Sequence, residues 1–238
     1  MLEIGIIPAR SGSKRFPNKN ISVLGDKPLV CWTIDEFILS DCFDKIIFSS
    51  DSEEYFELVT RNIKSNDLEF DNRSSKEAGD KIKIFDYISD NINKWAKSSD
   101  IFTIGLPTCP FRNKNHIKDC FDLFNKFNKS VFSACEYDFH VPFSFSLDPQ
   151  TLEWDSLFDE SPLITGNTRS QDQVKYYHPN GGVYIVKAEK LINKEIKTFY
   201  TNAIAYIMDR NSSIDIDTKE DLEYAKFYLE KFLSPDKN

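Results

Sequence analysis

Short apolar runs alternate along this chain with longer stretches in which apolar residues recur every three or four positions. The runs at 3–9 (EIGIIPA) and 45–50 (KIIFSS) are rich in β-branched and aromatic residues and predict buried strands. The same holds for 101–106 (IFTIGL), 130–134 (SVFSA) and 182–186 (GVYIV). Helical spacing occupies 28–40, 52–64, about 78–97 and 113–128; in the third stretch Ile82, Phe85, Ile88, Ile92 and Trp95 fall on one face. The terminal TKEDLEYAKFYLEKFL predicts an amphipathic helix. Strands that alternate with helices imply βαβ units and a mainly parallel sheet covered on both faces, an α/β fold in three layers.

Two regions break this rhythm. Residues 65–80 are polar and irregular, and 136–180 carry many aromatic and turn-forming residues without a helical period. The expected organisation is one domain over 1–238 with an excursion at about 136–180, an extended arm or hairpin that crosses to a second subunit. A long surface loop is the alternative reading, and length disfavours it.

Composition narrows the chemistry. The formal net charge of -8 argues against a general nucleic-acid binder, which needs a basic face. There is no run of about 18 apolar residues to span a membrane. The N-terminus lacks the basic and apolar regions of a signal peptide. Five cysteines without a CxxC pair are expected to be reduced, as in the cytoplasm. The histidines His116, His140 and His178 are too scattered for a zinc site.

Against this acidic background, GIIPARSGSKRFPNKN (5–20) gathers Arg10, Lys14, Arg15 and Lys19 just beyond the first predicted strand. Ligands of open α/β sheets bind at the carboxyl ends of strands, so this loop is placed to hold a small anion, with Ser11 and Ser13 as further donors. It is neither a Walker A loop nor a GxGxxG fingerprint. Its cations could embrace a triphosphate, or they could simply be solvated. Near the other end, the period of two in SIDIDT puts Asp215 and Asp217 on one face and Ile214 and Ile216 on the other. Two adjacent carboxylates suit a divalent cation. Equally, Asp217 or Thr218 could cap the last helix, since Thr218 and Asp221 have capping-box spacing.

IIPARSGSKRFPNKNI resembles the N-terminal signature of the CMP-sialic acid synthetases (acylneuraminate cytidylyltransferases). Further matches follow in order: GDKPLVCWTI, FDKIIFSSDS, LPTCPFR, HPNGGVYIVK and SIDIDTKEDLEYA. The resemblance covers nearly the whole chain and implies a Rossmann-like nucleotidyltransferase fold. It also implies a reaction in which the anomeric hydroxyl of a nine-carbon α-keto acid sugar attacks the α-phosphate of CTP, giving the CMP-sugar and pyrophosphate. On that carry-over Arg10, Ser13, Lys14 and Lys19 meet the phosphates or ribose, Asn20 reads the cytosine, and Arg73 and Asp80 belong to the nucleotide site. Asp215 and Asp217 would ligate Mg²⁺, with Arg10, Lys19 and Asp217 as the catalytic set and Asp217 or a water it holds as the base.

Arg169, His178 and Asn180 match positions close to the sugar. The chain departs from the sialic acid pattern at Leu106, where Gln is common, at His178, where Arg is common, and around Lys81 and Lys83. NTRSQDQ is similar to the pseudaminic acid enzymes, whereas PNG fits the sialic and legionaminic side. The resemblance further implies a homodimer, with Arg169 a candidate to complete the partner's site, and a cytoplasmic enzyme that supplies surface glycan assembly. Two other readings are a glycosyltransferase that uses a nucleotide sugar and a non-catalytic CTP-binding relative. The first places its Asp-x-Asp motif mid-chain and lacks the ARxxSK loop; the second has less need of both a phosphate clamp and an acidic pair.

Overall fold

A computed structural model describes residues 1–63, 65 and 68–233. Residue 64, the last of the expected second helix, and 234–238, the end of the expected domain, lie outside the described residues. By contact density the chain divides into two compact units, Met1–Ala134 with Asn180–Asn238, and Cys135–Pro179.

The first unit is built on β1 (Glu3–Pro8), a small hairpin of β2 (Val23–Leu24) and β3 (Lys27–Pro28), α1 (Leu29–Ser40), β4 (Lys45–Ser50), α2 (Glu53–Asn62), β5 (Leu68–Asn72), α3 (Ile84–Asn91), β6 (Ile101–Ile104) and α4 (Lys114–Phe127). β7 (Val131–Glu136) leads out of it; β10 (Tyr177–Lys187), α6 (Ala188–Ile192), β11 (Ile204–Ile207) and α7 (Lys219–Tyr228) complete it. The seven-stranded sheet runs β11-β7-β10-β6-β1-β4-β5. β1 is parallel to β4 and β6, β4 to β5, and β7 to β11, while β10 runs antiparallel to β6.

The strands are apolar on both faces because both faces are covered. Ile4 and Ile6, Phe102 and Ile104, Tyr184 and Val186 point to one core with Tyr87, Ile88 and Leu191 from the helices. Ile7, Phe48, Val183 and Ile185 point to the other, with Val30, Ile34 and Phe37 of α1, Val59 of α2 and Phe121 of α4. That alternation is the period of two in a strand buried twice. α1 packs so closely on the sheet that a Cβ on Gly105 would lie 2.6 Å from the Phe37 ring.

Three expectations change. The helix expected over 78–97 is α3, Ile84–Asn91, followed by a 3₁₀ turn at Ile92–Lys94; Ile82 stays exposed and 78–83 are irregular and outside the helix. The irregular 65–80 contains β5, an edge strand whose Leu68 and Phe70 pack inward while its other positions are polar. Residues 188–207, left unassigned, supply α6 and the short edge strand β11.

A third cluster, Phe16, Leu24, Leu29, Phe111, Ile216, Leu222 and Ala225, ties the basic loop to the end of the chain. In the second unit β8 (Phe145–Leu147) and β9 (Trp154–Ser156) form an antiparallel hairpin, followed by the single-turn α5 (Pro162–Thr165) with Ser161 as its N-cap. The cysteines form no disulfide among the described residues, and burial pushes Cys31 up to about 12. Among the described residues no helix is long and apolar enough to cross a membrane.

Candidate active site

The basic loop leaves the carboxyl end of β1 and is fixed at its stem before it reaches solvent. The Ala9 N–H donates to the Ser49 carbonyl at 2.8 Å, and Ser11 donates through its backbone N–H and its hydroxyl to the two oxygens of Asp51. The Asn20 amide returns to donate to the Arg10 carbonyl at 2.9 Å. Asn18 turns the chain in the left-handed region (φ 57°), and its side-chain oxygen accepts from the Tyr55 hydroxyl. These bonds shape a loop whose charged side chains are free to face one place.

That place is a cavity of about 460 Å³, within the usual size of a small-molecule site. It is lined by Arg10, Ser13, Lys14, Lys19, Asn20, Arg73, Asp80 and Asp217, together with Arg15, Tyr87 and Thr108. The cations are held in two groups. Asp80 accepts from Arg10 Nη1 at 2.7 Å and pairs with Lys14 Nζ at 2.6 Å; Asp217 accepts from Lys19 Nζ and Arg15 Nη2, each at 2.8 Å. The Lys14 and Arg10 hydrogen bonds hold the Asp80 carboxyl below its ordinary value. Partial burial works against the Asp217 charge, but Lys19 and Arg15 outweigh it and hold that carboxyl low as well. With Arg73, five cations face three carboxylates, Glu77, Asp80 and Asp217, around the cavity, an excess of positive charge suited to a polyanion.

Arg73 is 6% exposed. Its Nε donates to Ser49 Oγ at 2.8 Å and its guanidinium lies 4.3 Å from the centre of the Tyr87 ring. Ser49 and Tyr87 in turn donate to Asp71, so a buried network sets the plane of the guanidinium. Arg73 Nη2 is buried with no partner. A buried donor left unmade is costly, and on a cavity wall it marks a position that a ligand acceptor can fill.

The end of the chain reaches the same cavity through the third hydrophobic cluster. Ile216 is fully buried there, and its N–H donates to the Thr108 carbonyl at 2.8 Å. Residues 214–217 are unpaired rather than a strand, yet alternation puts Asp215 and Asp217 opposite Ile216. Asp215 is solvent-accessible as a residue, but its carboxyl is crowded by protein atoms; that loss of water pushes it up, Thr108 opposes through a hydrogen bond, and Asp217 adds its repulsion. The capping box is formed by Thr218 and Asp221, with Thr218 Oγ1 accepting from the Asp221 N–H and Asp221 Oδ2 from the Thr218 N–H. The cap therefore does not use the Asp217 carboxylate. Among the described residues no group of three or more His, Cys, Asp or Glu side chains is arranged for a metal.

Asn180 stands apart from the cavity. It is 4% exposed; its Oδ1 accepts from Ser133 Oγ at 2.6 Å and from the Gly182 N–H at 3.1 Å, while its Nδ2 donates to Ser213 Oγ at 2.8 Å. Its amide is engaged within the protein at both ends. Arg169 and His178 belong to the second unit. There Arg169 is exposed, with Nε 3.8 Å from Asp172, and His178 Nε2 lies 3.2 Å from Cys135 Sγ with its ring beside Tyr137.

Two features escaped the sequence. Arg112, the last residue of LPTCPFR, is 1% exposed; it donates through Nε to the Gly182 carbonyl at 2.6 Å and through Nη2 to the Leu106 carbonyl. It thereby fixes the turn after β6. A second cavity, of about 220 Å³, shares Ile84 and Leu106 with the first and is lined by Phe85, Tyr184, Phe199 and Tyr200, with Lys83, Asp86, Lys197 and Thr198. Its only sequence signal is the aromatic pair in KTFY at 197–200, a stretch without a period.

A mainly parallel α/β sheet with an electropositive cavity at the end of its first strand is of the nucleotide-binding α/β class. The chain belongs to the cytidylyltransferase family, whose profile matches residues 4–232. It is 32% identical over 222 residues to the N-acylneuraminate cytidylyltransferase of Escherichia coli O18:K1:H7, covering 93% of this chain but about half (51%) of that protein. It is 30% identical to the pseudaminic acid cytidylyltransferase of Campylobacter jejuni, covering 95% of each. It is 29% identical to the CMP-N,N'-diacetyllegionaminic acid synthase of Legionella pneumophila, covering 92% of each. Among solved structures, a CMP:2-keto-3-deoxy-manno-octonic acid synthetase complexed with CTP superposes with a TM-score of 0.67 at 13% identity, covering 97% of this chain and 99% of that one. That similarity confirms the Rossmann-like fold expected from the sequence.

Proposed function

We propose that the protein transfers CMP from CTP to the anomeric hydroxyl of a nine-carbon α-keto acid sugar, with release of pyrophosphate and with Mg²⁺ as cofactor. The observation that carries this reading is the convergence of Arg10, Lys14, Lys19 and Arg73 on one cavity with Asp217, 198 residues from Lys19 in sequence. Arg10 and Lys19 would neutralise and orient the triphosphate, which displacement at phosphorus needs more than covalent help. Arg73 Nη2 supplies a donor already stripped of water, and Asn20 lines the same wall. The second cavity, entered past Leu106, is where the sugar would sit.

The placing of Asp215 and Asp217 on the side opposite the buried Ile216 supports a divalent-cation site, the Asp215 carboxyl being raised by burial first and by the Asp217 charge beside it. They would hold Mg²⁺, which supplies charge neutralisation at the reacting phosphate. Asp217, kept ionised by Lys19 and Arg15, can accept the anomeric proton, directly or through a water.

The assay is pyrophosphate release from CTP, Mg²⁺ and a panel of nine-carbon keto acids, with no acceptor glycan, which separates this reaction from glycosyl transfer. Release with a sugar, lost by at least about 100-fold in Asp217→Ala with the fold intact, is the expected result. Bound CTP without turnover of any sugar, or near-normal Asp217→Ala, overturns it. We also propose a cytoplasmic homodimer. The second unit exposes Phe139 (70%), Ile164 (63%) and Val174 (65%), apolar area that a second copy would cover. A fully active monomer by solution mass would refute the dimer.

A further inference from the structure

We infer that Asp71 is a positioning residue for the nucleotide. Through the hydroxyls of Ser49 and Tyr87 it holds Arg73 in one plane, and it does so without neutralising the guanidinium by direct contact. This role rests on the nucleotide site proposed above.

Asp71 is the buried position of the edge strand β5, where an apolar residue would be expected. A buried carboxylate is costly unless it is hydrogen-bonded, and contact with a cation is the usual relief. Arg73 lies two residues further along the chain, yet among the described residues the two make no ion pair. Ser49 stands between them. It faces Asp71 directly across the β4–β5 register, accepts from Arg73 Nε at 2.8 Å and donates to Asp71 Oδ2. Tyr87 of α3 donates to the same oxygen and sets its ring 4.3 Å from the guanidinium. A hydroxyl has one proton to give. With its proton on Asp71, the Ser49 oxygen can only accept, and this orients the Arg73 Nε–H.

The interposed hydroxyls matter for a ligand. A direct Arg–carboxylate pair is commonly bidentate and would occupy the donors that a nucleotide needs. Here Nη2 stays buried and without a partner. The other four cations of the cavity are in a different state: Arg10 and Lys14 contact Asp80, and Arg15 and Lys19 contact Asp217, at 2.6 to 2.8 Å. An incoming anion must displace those carboxylates, whereas at Arg73 it displaces none. The worth of Arg73 therefore depends on how well it is aimed, and Asp71, Ser49 and Tyr87 do the aiming. A hydrogen bond from a charged donor to the nucleotide corresponds to about 10- to 100-fold in affinity.

The test measures the CTP dissociation constant by equilibrium dialysis for Asp71→Asn and Tyr87→Phe, each alone and combined with Arg73→Lys, with circular dichroism as the check of folding. Asp71→Asn keeps the size and removes the charge. Tyr87→Phe keeps the ring beside the guanidinium and removes one donor, so it carries the test if Asp71→Asn does not fold. Each is expected to weaken CTP binding about fivefold or more on its own, and less than about twofold in the Arg73→Lys background. A general loss of stability would act alike in both backgrounds, so equal losses overturn the inference. Unchanged affinity in the folded single variants overturns it too. Wild-type protein that binds no CTP removes the nucleotide reading itself, and the role of Asp71 with it.

Discussion

Replacing Asn180 by Ala separates a positioning role from a sugar contact, because the structure fixes what the change removes. The substitution deletes an acceptor for the Gly182 N–H and for Ser133 Oγ, and a donor to Ser213 Oγ, all in the interior. Ser133 keeps the bond from the Val183 N–H and Ser213 keeps its bond to the Asp209 carbonyl, so the hydroxyls have alternatives. The Gly182 N–H loses this side-chain acceptor, and a buried donor left unmade costs about 1–3 kcal/mol. With one or two net hydrogen bonds lost at about 1 kcal/mol each, the total is about 3 kcal/mol. For a chain of this size that lowers Tm by about 6–12 °C. Differential scanning calorimetry gives the shift, and steady-state kinetics on the folded fraction gives KM for sugar and for CTP. The expected pattern is a large Tm loss with both KM values within about threefold of wild type. An unchanged Tm with a selective rise in the sugar KM would refute the positioning role and restore Asn180 to the sugar site.

Asp215→Asn should raise the Tm of the Mg²⁺-free protein at neutral pH. An acid whose pKa rises on folding is destabilised when ionised, so stability is highest below its unfolded value and falls as pH rises through the folded one; the variant should also lose Mg²⁺-dependent turnover by about 10² or more. In a carboxyl NMR titration Asp217 should titrate below 3.8, so that its contribution to stability is present above that pH and lost on acidification. Lys19→Met should move this titration upward and weaken CTP binding in equilibrium dialysis. Gly181 has φ 74°, so Gly181→Ala costs about 1–2 kcal/mol, or about 2–8 °C in Tm. Because the new methyl meets Leu106, sugar KM should change more than CTP KM.

The central strands were legible because burial on both faces makes them continuously apolar, as in IIP of β1 and IFTI of β6. β5 was hidden because LEFDN is an edge in which only Leu68 and Phe70 are apolar and the one buried position, Asp71, is polar. The third helix was read too long because its period runs unbroken through Ile82. The chain instead stays irregular over 78–83, where Asp80 reaches Arg10 and Lys14, and enters the helix only at Ile84. Local spacing exposed the loop cations but not their partners, since Arg10 and Asp80 are 70 residues apart and Lys19 and Asp217 are 198 apart. The engagement of Asn180 and the aromatic cavity depend on the same kind of distant contact, which no local pattern encodes.

The 198 residues between Lys19 and Asp217 also order events during synthesis. A ribosome adds about 5–20 residues per second, so Lys19 is made about 10–40 s before the carboxylate that holds it. Throughout that interval the growing chain carries the loop cations without the acidic pair, and Phe16 without Ile216, its neighbour in the third cluster. A nascent chain can therefore attract polyanions before the carboxylate that restrains these cations has been added to it.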